Sequence, residues 1–110
     1  MVRGYLARRI YTAPDSWRRD AILSVDDEMG VLSITEFDGV ESPATTFVEG
    51  IILPFEPKFM GGFPLSSYLA MNFPPKGYPS EHYWSLTYPG IFSGKDLPAD
   101  AAEWRVARLC

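Results

Sequence analysis

A chain of 110 residues is long enough for one domain with one core and too short for two. Its apolar fraction of 46% and charged fraction of 22% exclude a disordered polypeptide, and its net charge of −4 gives no general attraction to nucleic acid or anionic lipid. A lone cysteine, Cys110, excludes an internal disulfide and a thiolate metal cluster.

No apolar run is long enough for a membrane-spanning helix, and the opening Met1-Val2-Arg3-Gly4-Tyr5 lacks the apolar stretch of a signal peptide. These features predict a cytoplasmic protein with no membrane partner. Aromatics reach 15%, with ten prolines and nine glycines, which predicts short strands and many turns. Arg3, Arg8, Arg9, Arg18 and Arg19 are half of the ten basic residues. They read as solvent-facing positions of an early strand and turn, in preference to a nucleic-acid patch.

In Tyr5–Thr12, the residues Tyr5, Ala7, Arg9 and Tyr11 share one face and Leu6, Arg8, Ile10 and Thr12 the other, which predicts a strand. Ala13-Pro14-Asp15-Ser16 is turn chemistry. Ala21–Val25 and Val31–Phe37 predict two strands joined in a hairpin at Asp26–Gly30. Asp38-Gly39 and Ser42-Pro43 mark a loop, and Thr45–Leu53 predicts a fourth strand, with Gly50 marking a bulge or a close backbone approach.

Residues 56–88 hold five prolines and eight aromatics and keep no period. Leu65–Met71 and Ser80–Leu86 are each candidates for two helical turns, Ser80 serving as an N-cap. The aromatics predict a segment packed down on the domain. Pro89–Ser93 reads as a short strand. Trp104–Leu109 reads as a last strand, with a helix beginning near Asp100 as the alternative.

The order LARRIYT, AILSVDDEMGVLSITEF, VEGIILPFEP resembles the N-terminal segment of amidohydrolases, metal-dependent hydrolases with a TIM barrel. In that family such a segment builds part of a small β-sandwich. Gly50-Ile51-Ile52-Leu53-Pro54 stands where the family enters its first barrel strand. Trp84–Leu109 is similar to the strands that return to the sandwich after the barrel. The family's His-x-His metal motif is replaced here by Phe55-Glu56-Pro57-Lys58-Phe59, and His82 is the sole histidine. The resemblance therefore implies a sandwich domain without its barrel and without its metal ligands.

The chemistry-bearing residues support the same reading. A hydrolytic zinc takes about three protein ligands, and one histidine with scattered carboxylates does not supply the usual set. Glu81-His82 is adjacent in sequence and its side chains point apart. Asp26-Asp27-Glu28 reads as a solvated turn, Ser93-Gly94-Lys95-Asp96 lacks the Walker spacing, and Ser66-Ser67 has no nucleophile elbow around it. No catalytic, cofactor-binding or metal-ligating residue is assigned, and no cofactor is expected.

The expected fold is mainly β: a small β-sandwich or partly open barrel built from N-terminal and C-terminal strands, with segment 56–88 irregular or holding short helices. The expected function is a non-catalytic interaction or assembly module, forming a homodimer or binding a protein partner through Phe59, Phe63, Tyr68, Tyr83 and Trp84. The alternative is a binding module for a small ligand, a sugar or peptide, using aromatics 59–88, or a hydrolase remnant. A concave pocket with aromatics and convergent polar groups favours the ligand reading; a flat apolar patch favours the assembly reading.

Overall fold

A computed structural model describes residues 1–39 and 44–110. The expected loop residues Ser42-Pro43 lie outside them. The chain is mainly β, and its sheet is open and does not close into a barrel. The first two strands are β1 (Val2–Ala13) and β2 (Ser16–Asp26), and β3 (Gly30–Glu36) follows. Two short strands come next, β4 (Thr45–Phe47) and β5 (Ile51–Leu53), then helix α1 (Leu65–Asn72), and finally β6 (Trp84–Thr87) and β7 (Arg105–Arg108). Among the described residues the sheet has seven strands in the order β3-β2-β1-β5-β6-β7, with β4 beside β1. N-terminal and C-terminal strands thus share one sheet, as expected.

Several elements differ from expectation. The second strand starts at Ser16 rather than Ala21, so Pro14-Asp15 closes a tight hairpin between β1 and β2. The single strand expected over Thr45–Leu53 is two, both parallel to β1. They break around Gly50, where a Cβ would collide with the Leu86 carbonyl and approach the Thr87 Cβ to 2.7 Å. The helix expected over Leu65–Met71 is present and runs over Leu65–Asn72. Ser80–Leu86 is not, because Trp84–Thr87 bridges β5 and β7. Pro89–Ser93 forms turns around Gly90 and Gly94, whose φ values of +83° and +80° take the chain out of any strand. Both readings of the C-terminus are partly realised: Asp100 caps a 3₁₀ turn at Ala101–Glu103, and β7 follows.

One sheet serves two cores. Ile51 and Leu53 point into one, with Tyr68, Leu69, Leu86 and Leu97, while Ile52 between them points into the other, with Ile10, Leu23 and Tyr83. A strand buried on both faces gives a continuous apolar run, which Ile51-Ile52-Leu53 is. Each of these fully buried side chains contributes about 1.5–3 kcal/mol.

The hairpin changes face along its length. Ala21, Leu23 and Val25 of β2 belong to the second core, yet Trp17, at the same parity, packs against Tyr11 of the first. The change falls at Asp20, whose φ of +47° is the left-handed conformation that a short polar side chain tolerates. This twist carries Arg9, Tyr11 and Trp17 onto the side where α1 packs.

Candidate functional site

Arg9 and Tyr11 are two residues apart on β1 and so share a face. Trp17 pairs directly with Tyr11 across the ladder, and their ring centroids are 5.3 Å apart. The Arg9 guanidinium lies over Trp17, 4.5 Å from its ring centroid, and 5.7 Å from that of Phe92. Its Nη1 donates to the Tyr11 hydroxyl at 3.2 Å. The Arg8 guanidinium sits 5.0 Å from the same Phe92 ring.

Phe92 comes from the turn after β6. Gly90 and Lys95 shape that turn: the Gly90 carbonyl accepts from Ser93 and Lys95 amides, and the Lys95 stem lies where a Gly90 Cβ would be. The Tyr88 hydroxyl donates to the Lys95 carbonyl at 3.0 Å. Burial raises the Tyr88 pKa, with the neighbouring Tyr11 and Asp96 adding to the shift and Arg9 opposing it.

Between this turn, the hairpin tip and α1 runs a groove of about 490 Å³. Leu65, Tyr88 and Ile91 give it an apolar floor, Trp17 and Phe92 aromatic walls, and Arg9, Lys95 and Asp15 its charges. Its size lies in the range of small-molecule sites. A second recess of about 360 Å³ lies across the Arg9–Trp17–Phe92 stack and adds Arg8, Arg19 and Asp20. Among the described residues the ion pairs join Arg3 to Asp27 and the N-terminus to Asp26, so no carboxylate lies within 4 Å of Arg8, Arg9, Arg19 or Lys95.

The five aromatics expected to form an interaction surface do not come together. Tyr68 and Tyr83 are buried, one in each core, which corrects their assignment to the surface. The Tyr68 hydroxyl donates to the Lys58 carbonyl at 2.6 Å, and the Tyr83 hydroxyl accepts from the Ser80 amide. A phenol buries its ring readily when its hydroxyl keeps a partner. Trp84 is half-buried on β6, with the His82 ring 6.3 Å away. Phe59 and Phe63 are exposed, at 47% and 36%. Phe59 meets Trp104 edge-on at 5.3 Å, and the Phe63 carbonyl accepts from the Leu97 amide.

Of the polar clusters weighed in the sequence, Asp26-Asp27-Glu28 closes a turn. Asp26 accepts from the amides of Glu28 and Met29 at 2.8 and 3.0 Å, and these two bonds hold its carboxyl below the usual range. The His82 Nδ1 lies 3.1 Å from the Arg108 Nη2. Among the described residues no group of three or more His, Cys, Asp or Glu side chains could hold a metal ion, and no helix is long and apolar enough to cross a membrane.

Sequence reading missed Arg9, Trp17, Phe92 and Lys95 as a unit. Its signal was present in Arg8-Arg9-Ile10-Tyr11 and Trp17-Arg18-Arg19, where cations and aromatics interleave. The turn that brings Phe92 and Lys95 to them lies some 80 residues downstream. No family model, curated protein or solved structure matches the chain.

Proposed function

We propose that this protein is a non-catalytic binding module for a small ligand, and that the groove between the β1–β2 hairpin, α1 and the Tyr88–Lys95 turn is its site. The observation that carries this reading is the concave arrangement itself: an apolar floor, two aromatic walls, and the cations Arg9 and Lys95 at the edge. A few fixed polar groups around an apolar floor are the usual composition of a small-molecule site. The aromatics differ from those expected, since only Tyr88 comes from segment 59–88. The resemblance to the amidohydrolase sandwich agrees with a role without chemistry of its own.

A fragment screen followed by amide chemical-shift mapping tests it. Binding fragments are expected to move Arg9, Tyr11, Trp17, Ile91 and Lys95. Shifts confined to other faces would remove the groove from consideration.

A second reading, assembly through a protein partner or a second copy, has its own observation. Phe59, Met60 and Phe63 are all exposed within one short irregular run. Sedimentation at micromolar concentrations, with Phe59→Ser and Phe63→Ser, tests that reading. A dimer dissociated by these changes would favour assembly; a concentration-independent monomer would refute the homodimer.

A further inference from the structure

We infer that the groove takes a small organic anion: a planar or apolar body carrying one carboxylate, sulfonate or phosphate group, which Arg9 holds. This rests on the groove being a ligand site and names the class of ligand.

The argument begins with the unmatched charge. Arg9 is half-buried, yet among the described residues no carboxylate lies within 4 Å of it and Tyr11 is its one side-chain hydrogen-bond partner. A guanidinium carries five N–H donors, so most are left for a ligand. A half-buried cation without a counter-ion costs solvation, and an anion arriving beside it recovers that cost.

The second part is pre-organisation. Trp17 and Phe92 lie on the guanidinium and Tyr11 fixes one of its nitrogens, so the rotamer freedom normally lost on binding is already restricted. Arginine's fixed fork suits the two oxygens of a carboxylate or phosphate.

The third part is the charge balance of the site. Arg9 and Lys95 face the single acid Asp15 in the groove, an excess of one positive charge. This stands against the net −4 of the whole chain, so the positive charge is local to this face. Beyond Arg9 the groove offers Leu65, Ile91 and Tyr88, which suit an apolar body and give an ion alone nothing to hold.

The test uses two fluorescent probes with the same ring system, 1-anilinonaphthalene-8-sulfonate and its neutral counterpart N-phenyl-1-naphthylamine. The variants are Arg9→Gln, Lys95→Gln and Ala70→Trp, the last placing a bulky ring at the groove's lining. The sulfonate is expected to bind the wild-type protein about tenfold or more tightly than the neutral probe, the worth of a hydrogen bond to a charged group. Arg9→Gln should lower the sulfonate's affinity much more than the neutral probe's, closing most of the gap between them. Ala70→Trp should weaken both. Near-ultraviolet circular dichroism checks that each variant is folded. If Arg9→Gln does not fold, the wild-type ratio and its reduction in Lys95→Gln decide the matter. Equal affinities in the wild-type protein, with both weakened by Ala70→Trp, would overturn the anion inference and leave the groove reading intact. Failure of both probes to bind, or binding indifferent to Ala70→Trp, would overturn both.

Discussion

The Arg9 guanidinium lies 4.5 Å from the Trp17 ring centroid, and the two side chains come from different strands of one hairpin. Arg9 pairs with Arg19 in the ladder and Trp17 with Tyr11, so Arg9 reaches diagonally over its neighbour's partner. Such diagonal neighbours are within reach only of long or aromatic side chains.

This contact has a measurable worth. Trp17 is 39% exposed, so the cation–π component is that of a partly solvated pair, about 0.5–1 kcal/mol. Trp17→Ala is expected to lower stability by about 1 kcal/mol in urea unfolding. If the groove binds the sulfonate probe as proposed, it should also weaken that binding through the loosened Arg9. Trp17→Phe should recover most of the stability.

Two glycines separate steric space from backbone conformation. At Gly50 a Cβ would run into the Leu86 backbone, which cannot step aside without breaking the β5–β6 ladder. Gly50→Ala is expected to cost about 3 kcal/mol or more. Gly30 has open space around it and a φ of +80°. Gly30→Ala should cost about 1–2 kcal/mol, from conformation alone. Thermal midpoints of the two variants, compared with wild type, check the order.

Tyr68→Phe removes the hydroxyl that donates to the Lys58 carbonyl at 2.6 Å while keeping the ring in the core. The expected loss is about 1 kcal/mol, the net worth of one hydrogen bond. Leu69→Ala, one residue along and in the same core, should cost about 2–5 kcal/mol, because it empties volume. Denaturation midpoints of the two give the contrast.

Alkaline pH should destabilise the fold. Tyr68, Tyr83 and Tyr88 all have raised pKa values, in each case chiefly because burial disfavours the phenolate. Below about pH 10 these phenols are protonated in both states and their contribution is fully present. Above it the unfolded chain loses protons that the folded chain retains, so stability falls as pH rises through the folded values. Melting temperature followed from about pH 8 to about pH 11, alongside phenolate absorbance, should show unfolding and tyrosine ionisation rising together. A melting temperature flat across that window would contradict the burial of these rings.

Much of the fold is local and was legible in the residues themselves. Alternation in Tyr5–Thr12 and Val31–Phe37 declares strands, Asp26–Gly30 declares a hairpin turn, and Leu65–Asn72 carries no β-branched residue to oppose a helix. Gly50 marks a close backbone approach that the structure places against Leu86. These are properties of neighbours in the chain, which sequence order preserves. What tertiary structure alone decided is which face each side chain meets. Tyr68 and Tyr83 look like surface aromatics in a proline-rich stretch, and become core because the two faces of the sheet need large apolar fillers. Trp84–Leu86 becomes a strand because an open edge of β5 stands beside it. Asp20 reverses the facing of β2, which no period reveals, and so brings Arg9 and Trp17 to a turn some 80 residues downstream. The groove depends on that long-range meeting, whose closure is rewarded only by packing that no local stretch contains.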